Sequence, residues 1–409
     1  MSSQENNARR ERDTERLRRI QEAIQSARLD AVVCTLPANV LLCSGYWPVI
    51  GASLAVVTVE GRSVILCPKD EAELAQCGWA DEVRTFEPAS VSEIRSTAEA
   101  AQAALQQLAH ELKLTCMRVG YELGPASEAA SYAAMYLYGG TIVEMLRTAM
   151  PSAALAPVDD ILARLAMVKT PHEVGGVRAA CEIAAEAFHA GARHLRPGLK
   201  ETEAAALFRT PLSTLGVGRD GVARADGFTF CMSGPNSAEA GGAYARSRAR
   251  AIRASEFVLL HCNSYADGLW TDITRTYSLF EADAQQRAIY AAVFEARGAA
   301  LAAIRPGARA AEVDRAARDV LRRHGLGAQF KHSTGHGVGF AVIAHNALPR
   351  IHEKSDEVLE TGMVFNVEPA VYIEGWGGMR HCDMVAVGAA GADLLTPFQA
   401  TAEELVLTT

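Results

Sequence analysis

The sequence predicts two folded domains, an α/β domain followed by a domain in which strands alternate with glycine-rich turns. The chain has 409 residues, whereas a single domain usually has roughly 100–200. Its first third alternates amphipathic helical segments with short apolar runs, which is the pattern of an α/β unit. The segment 151–157, rich in Pro, Ala and Ser, lacks this periodicity and is typical of a linker. We therefore predict domains over residues 1–157 and 158–409.

Composition and charge exclude several classes of protein. Hydrophobic residues make up 49% of the chain and charged residues 22%, values typical of a folded globular protein. The net charge of −8 argues against a nucleic-acid partner. Because the sequence contains no apolar run of about 18 residues, we expect no membrane association. The 9 cysteines form no CxxC pair and no secretory signal is present, which predicts reduced thiols and a cytoplasmic location.

The elements of the first domain follow from hydrophobic periodicity and turn residues. Amphipathic spacing predicts helices at 17–28 and 98–112. Short apolar runs predict strands at 30–34, 54–59, 63–67 and 117–120. A turn centred on Gly61 separates the second strand from the third, so these two strands are expected to form a hairpin.

The second domain begins with two helices and then becomes rich in strands. The segment 159–194 has a helical pattern that is interrupted at Lys169, Thr170 and Pro171. Because proline disfavours helical backbone in the residue before it, one helix should end there and another begin, with Glu173 in its first turn. Further strands are predicted at 257–260 and 363–367, and a further helix at 283–303.

Side chains that can bind a metal or move protons concentrate in four short segments of the second domain. These segments are 261–262, 267–275, 332–336 and 368–383. Any single His or Asp among them would more often be a surface or core residue than a ligand. Their clustering is the informative feature, because a site built from distant segments requires several strands to converge.

Four motifs in and around these segments resemble, in order and spacing, the signatures of the pita-bread (M24-type) metallopeptidase family. They are DGLWTDITRT at 267–276, TGHGVG at 334–339, LETGMVFNVEP at 359–369, and GGMR at 377–380 followed by Asp383. The family includes Xaa-Pro aminopeptidases, prolidases, methionine aminopeptidases, creatinases and ectoine hydrolases. The resemblance implies a creatinase-like α/β N-terminal domain and an α+β pita-bread C-terminal domain. It also implies a homodimer.

The family's dinuclear metal site uses two Asp, one His and two Glu, and this chain matches it incompletely. The resemblance assigns Asp272, His336 and Glu368 to three of the positions, whereas His261 and Cys382 replace an Asp and a Glu. Asp plus Glu number 48, His 11 and Cys 9 in the 409 residues. If positions 261 and 382 had changed at random, both would carry one of these four metal-binding residue types in only about 3% of cases. We therefore predict a retuned site in which these five residues bind one divalent ion, with Zn or Fe favoured over Mn or Co.

The substrate side of the resemblance is also altered. The family's Ser-Gly-Pro-Asn segment is present at 233–236, but the His that follows it is absent and Tyr244 is the nearest polar substitute. The family's His-Glu-x-Pro segment is replaced by HNALP at 345–349. The candidate catalytic residues are Glu368, His336, His332, His345, Arg380 and Tyr244. Because the substrate His is missing, ordinary Xaa-Pro peptidase activity is not expected.

Several functions remain open from the sequence. In the first, a metal ion assists hydrolysis of an amide, amidine or peptide C–N bond in a small polar substrate. In the second, no metal is present and His336 and Glu368 act as an acid/base pair, as the resemblance to creatinases and ectoine hydrolases implies. In the third, Cys382 is a nucleophile paired with His261 or His381. A catalytically inactive pita-bread domain that only binds a partner is the alternative outside enzymology.

Overall fold

The chain divides into two compact units, Met1–Ala166 and Met167–Thr409. A computed structural model describes residues 12–49, 52–88, 96–123, 140–241, 246–341 and 347–408. The division falls later than the predicted boundary after residue 157. The segment 151–157, predicted to be a linker, contains the strand Ala154–Pro157. This strand lies at a sheet edge and ends at Pro157, a place where a residue without an amide proton is tolerated.

The first unit is a six-stranded sheet with helices, as the α/β prediction requires. Its helices are α1 (Thr14–Ser26), α2 (Pro37–Ser44), α3 (Ala72–Gln76), α4 (Thr97–Glu111), α5 (Gly140–Ala149) and α6 (Asp159–Met167), of which α6 continues one residue beyond the unit. Its strands are β1 (Ala31–Cys34), β2 (Leu54–Thr58), β3 (Ser63–Pro68), β4 (Glu82–Phe86), β5 (Arg118–Tyr121) and β6 (Ala154–Pro157). The strand order is β4-β3-β2-β1-β5-β6.

The central strands of this sheet are buried on both faces, which explains their continuous apolar sequence. Every residue of β1, β2 and β3 is buried. Strands β2 and β3 pair antiparallel, which confirms the predicted hairpin. Helix α4 begins at a capping box in which Ser96 and Glu99 satisfy each other's main-chain amides, and its apolar face joins the core through Leu105 and Leu108.

The second unit combines five helices and ten strands among its described residues. The helices are α7 (Pro171–Ala192), α8 (Glu201–Gly216), α9 (Ala284–Ala303), α10 (Ala310–Arg323) and α11 (Ala402–Leu405). The strands are β7 (Ala225–Ser233), β8 (Val258–Ala266), β9 (Leu269–Trp270), β10 (Ile273–Leu279), β11 (Val364–Val367), β12 (Ala370–Ile373), β13 (Gly377–Arg380), β14 (Asp383–Val387), β15 (Ala392–Leu394) and β16 (Val406–Leu407).

The strands of the second unit form three sheets that converge on one region. One sheet has the order β16-β10-β8-β7, with β9 paired to β8; the others are β11-β14-β15 and β12-β13. A single bridge between Thr274 and Cys382 joins β10 to the segment between β13 and β14. This bridge brings together the sequence-distant segments that carry the candidate site residues.

The helix break predicted near residue 170 is present. Helix α7 begins with Pro171 in its first turn, and Thr170 and Glu173 form a capping box. The fixed φ of proline suits the start of a helix, and the side chains of Thr170 and Glu173 satisfy main-chain amides there. Among the described residues, we find no helix with the length and apolar character needed to span a bilayer.

Candidate active site

The hairpin between β8 and β10 places His261 and Asp272 on one face. Asp267 and Gly268 adopt φ values of 47° and 86°, so the chain reverses through a tight left-handed turn. In the resulting antiparallel register His261 lies opposite Thr274. His261 Nδ1 lies 3.7 Å from Asp272 Oδ1, so the hairpin turns these two side chains to the same side.

Two glycines flank His336 and allow close approach of the chain, Gly335 to Asn366 of β11 and Gly337 to Leu348. A Cβ on Gly335 would lie 1.8 Å from the carbonyl oxygen of Asn366, and one on Gly337 would lie 2.0 Å from that of Leu348. The main-chain amide of His336 donates to Asn366 Oδ1 at 2.7 Å. His336 Nε2 lies 3.6 Å from Asp272 Oδ2. The Gly-His-Gly segment therefore holds the imidazole against the Asp272 carboxylate.

Glu368 and Cys382 complete a compact group of metal-binding side chains. The Glu368 amide donates to the Thr334 carbonyl at 2.8 Å, and the Cys382 amide donates to the Thr274 carbonyl at 3.1 Å. In the part of the chain that the structure describes, one ligand atom each from Asp272, Glu368 and Cys382 lie within 4.8 Å of one another, and all three residues are buried. Two carboxylates and a thiol at these separations can converge on one cation.

Arg380 supplies a buried positive charge beside this group. Its Nε donates to Thr274 Oγ1 at 3.0 Å, and its Nη1 lies 3.7 Å from Glu368 Oε2. Burial lowers the pKa of Arg380, but Tyr372, Glu368 and further anionic neighbours raise it more, so the guanidinium stays charged. This cation partly balances the negative charge of the neighbouring carboxylates.

His332 is positioned from helix α10 and contacts a tyrosine. Asp314 accepts hydrogen bonds from the Thr334 amide at 2.9 Å and its hydroxyl at 2.8 Å, and Arg318 donates to the His332 carbonyl at 2.5 Å. His332 Nε2 lies 3.0 Å from the Tyr372 hydroxyl. These contacts place His332 next to β12, which begins directly after Glu368 and Pro369.

The sequence match decides the family. Residues 175–389, just over half of the chain, match the metallopeptidase family M24. The chain belongs to metallopeptidase family M24. Residues 16–168 match the creatinase/prolidase N-terminal domain, so the M24 protein has the creatinase-like α/β domain followed by the α+β pita-bread domain that the sequence predicted.

Named relatives and solved structures agree with this assignment. The chain is 34% identical over 239 residues to an Xaa-Pro dipeptidase from Pyrococcus furiosus, a match covering 58% of this chain and 66% of the relative, just under two thirds of its length. It is 35% identical over 269 residues to a probable dipeptidase PepE from Mycobacterium tuberculosis, covering 63% and 68%. The structure of a prolidase from Pyrococcus horikoshii OT3 superimposes with a TM-score of 0.74 at 26% identity, covering 94% of this chain and 98% of that chain.

These relatives bear on the expected activity of the M24 protein. Several carry the name Xaa-Pro dipeptidase, so the comparisons do not support the sequence-based doubt about that activity. The absent substrate His was the reason for the doubt. Tyr244 and His345, the two residues predicted near the altered substrate segments, lie outside the described residues.

The M24 site shifts the pKa values of its own groups. Burial and Arg380 lower the pKa of His261 to about 4, so its imidazole is neutral at physiological pH. Burial, Asp272 and Glu368 raise the pKa of the Cys382 thiol well above its ordinary value. Burial opposes ionisation of Asp272, but His261, His336 and Arg380 lower its pKa overall.

The structure argues against Cys382 as a histidine-activated nucleophile. Among the described residues, the hydrogen-bond partners of its sulfur are the Asp272 carbonyl at 3.1 Å, Asp272 Oδ1 at 3.5 Å and Asn366 Nδ2 at 3.6 Å. His381 contacts Asp383 and Phe294 instead. Because consecutive side chains of an extended segment point to opposite faces, neighbouring His381 does not share the position of Cys382.

Sequence reasoning missed four polar residues of the site. They are Asn263, Thr274, Asn366 and Tyr372. Asn263 lies two residues after His261 on β8 and thus on the same face. Strand alternation from a known site residue could have indicated Asn263, but Tyr372 and Asn366 depend on contacts with the sequence-distant segment 332–336.

We expect Gly335→Ala to destabilise the protein by about 1–3 kcal/mol, the usual cost of inserting a methyl group into packed structure. The added Cβ would clash with the Asn366 carbonyl, so either His336 or β11 must move. Urea unfolding measures the effect. Gly175→Ala is the control, because Gly175 lies in helix α7 with no atom within 4 Å of its added Cβ, and this change should stabilise by about 0.4–1 kcal/mol. Equal effects of the two substitutions would contradict the close approach.

His381 makes stability depend on pH. Burial and Arg275 lower its pKa to about 4 despite the attraction of Asp383, whereas an unfolded histidine titrates near 6.5. Between these values the unfolded chain binds the additional proton, so the free energy of unfolding should fall by about 1 kcal/mol per pH unit as the pH drops from 6.5 towards 4. Urea unfolding at several pH values should give a shallower dependence for His381→Gln. An unchanged slope in that variant would contradict this assignment.

Proposed function

We propose that this M24 protein hydrolyses a C–N bond of an amide, amidine or peptide in a small polar substrate, with one divalent ion bound at the remodelled site. The observation that carries the proposal is the buried group of Asp272, Glu368 and Cys382, whose ligand atoms lie within 4.8 Å of one another. His336 Nε2 extends the group, since it lies 3.6 Å from Asp272 Oδ2. A binding module without catalysis would have no need for this convergence of ionisable side chains.

The donor set fits a softer ion than an all-oxygen cage would. Asp272 and Glu368 offer carboxylate oxygens, His336 offers an imidazole nitrogen and Cys382 offers a sulfur. Thiolate and imidazole ligands favour Zn or Fe, whereas carboxylates alone favour Mn or Mg. A divalent ion supplies Lewis acidity, which polarises a carbonyl and activates water. We therefore propose Zn or Fe in preference to Mn or Co.

The remaining chemistry falls to side chains at the edge of this group. Glu368 is suited to accept a proton from the attacking water and to deliver it to the leaving nitrogen. Arg380 places its positive charge 3.7 Å from Glu368 Oε2 and so helps to hold that carboxylate in place. His332 is hydrogen-bonded to Tyr372 of β12 and is therefore a second proton-transfer group beside that strand.

The relatives named Xaa-Pro dipeptidase make Xaa-Pro dipeptides the first substrates to test, followed by non-peptide amides and cyclic amidines. Released amine is measured for the wild type and for Asp272→Asn, which keeps the size of the side chain but removes its charge. We expect hydrolysis of at least one class with kcat/KM within about 10⁴–10⁸ M⁻¹s⁻¹ and none with the variant. Equal release by both proteins, or no release from any class, would contradict the proposed hydrolase.

A metal-free hydrolase is the second candidate, favoured by one observation. The Arg380 guanidinium already places a positive charge beside Glu368, and His261 replaces a carboxylate, so the site carries less negative charge than a dinuclear cage. In that case His336 and Glu368 would act as the acid/base pair. Hydrolysis that persists after metal removal would favour this candidate.

The assembly and the location are also proposed. We propose a homodimer. The chain has the creatinase-type two-domain architecture, and the resemblance to that family implies a homodimer. Closed twofold dimers are also the commonest oligomers. None of the 9 cysteines, all of which the structure describes, forms a disulfide, and this is compatible with the proposed cytoplasmic location. A monomer mass by light scattering at micromolar concentration would contradict the dimer.

A further inference from the structure

Two histidines lie next to Asp272, and their hydrogen bonds differ. His336 Nε2 is 3.6 Å from Asp272 Oδ2, and His261 Nδ1 is 3.7 Å from Asp272 Oδ1. Distance to the carboxylate therefore does not distinguish them as metal ligands. The partners of the other ring nitrogens do.

His336 has the arrangement of a metal ligand. Its Nδ1 lies 3.1 Å from the Gly337 carbonyl oxygen, which can only accept, so Nδ1 carries the proton. The lone pair of the neutral ring is then on Nε2, which faces Asp272. Asn366 Nδ2 lies 3.4 Å from this nitrogen, farther than either hydrogen-bond partner of His261 lies from its ring nitrogen. Metal-binding histidines usually donate their second ring N–H to a carbonyl or carboxylate in this way.

His261 has both ring nitrogens committed to protein partners. Arg380 Nε can only donate, so Thr274 Oγ1 accepts that hydrogen bond at 3.0 Å. Asn263 Oδ1, 3.1 Å from His261 Nε2, can only accept, so the proton of the neutral ring lies on Nε2. His261 Nδ1 is then unprotonated and accepts from the Thr274 hydroxyl, also at 3.0 Å. No lone pair of this imidazole is left for a cation.

The hydrogen bonds run in one direction, from Arg380 through Thr274 and His261 to Asn263. Each of these three hydrogen bonds has one donor and one acceptor, so they need neither an ion nor a second proton; the buried Asn263 Nδ2 at the end of the path makes no hydrogen bond to any described residue. The Phe230 ring stacks near His261, with ring centroids 6.2 Å apart and planes inclined by 14°, and restricts rotation of the imidazole. A rigid imidazole in this position fixes the Thr274 hydroxyl and, through it, the Arg380 guanidinium beside Glu368.

We propose that His261 is a positioning residue for Arg380 and that the ion is bound without it, by Asp272, His336, Glu368 and Cys382. The inference rests on the proposed function for the presence of an ion, but the tautomer of His261 does not depend on it. It replaces the sequence-based expectation that all five residues are ligands. One consequence is a single ion per chain. A second ion would need a ligand from position 261, and both ring nitrogens of His261 are already hydrogen-bonded.

The test compares two matched substitutions beside the same carboxylate, His261→Phe and His336→Phe. Co²⁺ is titrated into metal-free wild type and into each variant, and binding is followed by calorimetry and by the visible absorption of the bound ion. We expect about one Co²⁺ per chain in wild type and His261→Phe, with affinities within about threefold of each other. His336→Phe should lower the affinity for Co²⁺ by at least about 10–100-fold. Removing a residue that only hydrogen-bonds to a metal ligand commonly costs this much, and a ligand should cost no less.

A second measurement observes the protonation of the two His261 ring nitrogens directly. In protein labelled with ¹⁵N-histidine, we expect His261 to show an unprotonated Nδ1 and a protonated Nε2. Both signals should stay the same when metal-free protein is loaded with Zn²⁺. In His261→Phe the Arg380 Nε–H resonance should shift, because the Thr274 hydroxyl loses its acceptor. A merely structural histidine would leave that resonance in place.

The outcomes separate the inference from the function on which it rests. If wild type binds Co²⁺ and His261→Phe loses it as His336→Phe does, His261 is a ligand and the inference is wrong. If the His261 signals change to those of a metal-bound ring on adding Zn²⁺, it is also wrong. If wild type binds no ion, the proposed metal site fails, while a protonated Nε2 and unprotonated Nδ1 would still support the positioning role.

Discussion

Replacing Glu368 by Gln should lower kcat/KM by about 10²–10⁴-fold on any substrate that the wild type hydrolyses, which is the range that general acid/base catalysis contributes. Glu368 is buried, belongs to the group that surrounds the proposed ion and lies beside Arg380. Glutamine keeps the shape of the side chain but cannot accept the proton of the attacking water. Steady-state kinetics with the best substrate, at equal protein and metal content, measures the loss.

Glu374→Gln provides the matched control for this prediction. Glu374 lies in the exposed turn between β12 and β13, six residues after Glu368, and the same substitution there should leave kcat/KM unchanged. The unfolding free energy of Glu374→Gln should remain close to that of wild type. If Glu368→Gln retains more than about a tenth of the wild-type kcat/KM, Glu368 does not transfer the proton.

Asp383→Asn should destabilise the protein by about 3–5 kcal/mol, the cost of removing one partner of a buried ion pair. Asp383 is fully buried and contacts two arginines, with Oδ1 2.8 Å from Arg275 Nη2 and Oδ2 2.5 Å from Arg297 Nε. Arg275 is itself fully buried, so the substitution leaves a guanidinium without a countercharge in the interior. Urea unfolding at pH 7 measures the change.

An exposed ion pair in the same sheet gives the comparison. Asp393 on β15 lies 2.7 Å from Arg178, but their side chains are 44% and 40% exposed. Because solvent screens such pairs, Asp393→Asn should change the unfolding free energy by only about 0–1 kcal/mol. A loss of similar size in the two variants would mean that burial of Asp383 does not govern its contribution.

Most of the helices and strands that local sequence patterns predicted are present in the structure. Periodicity predicted a helix at 98–112, and α4 spans Thr97–Glu111. Turn residues predicted the hairpin of β2 and β3. In each case the determining interactions lie within a few residues along the chain or across one turn, so they are encoded locally.

Features that depend on distant segments were not predictable in the same way. Strand β6 lies in a segment without periodicity and is recognised only through its pairing with β5. The contacts of Thr274 with His261 and Arg380 depend on the register of β10 against both β8 and β13. Register between non-adjacent strands is set by the whole core, and hence no single motif revealed which His261 nitrogen carries a proton.

The metal content of the purified protein tests the central claim most directly. The protein is prepared without chelators or added metals, analysed for bound elements, and assayed before and after removal of the ion. A retuned mononuclear hydrolase should contain about one Zn or Fe per chain, lose its hydrolytic activity with the ion and regain it on reconstitution. Full hydrolysis by protein with less than about a tenth of an ion per chain would contradict the metal-dependent account and leave His336 and Glu368 as a metal-free acid/base pair.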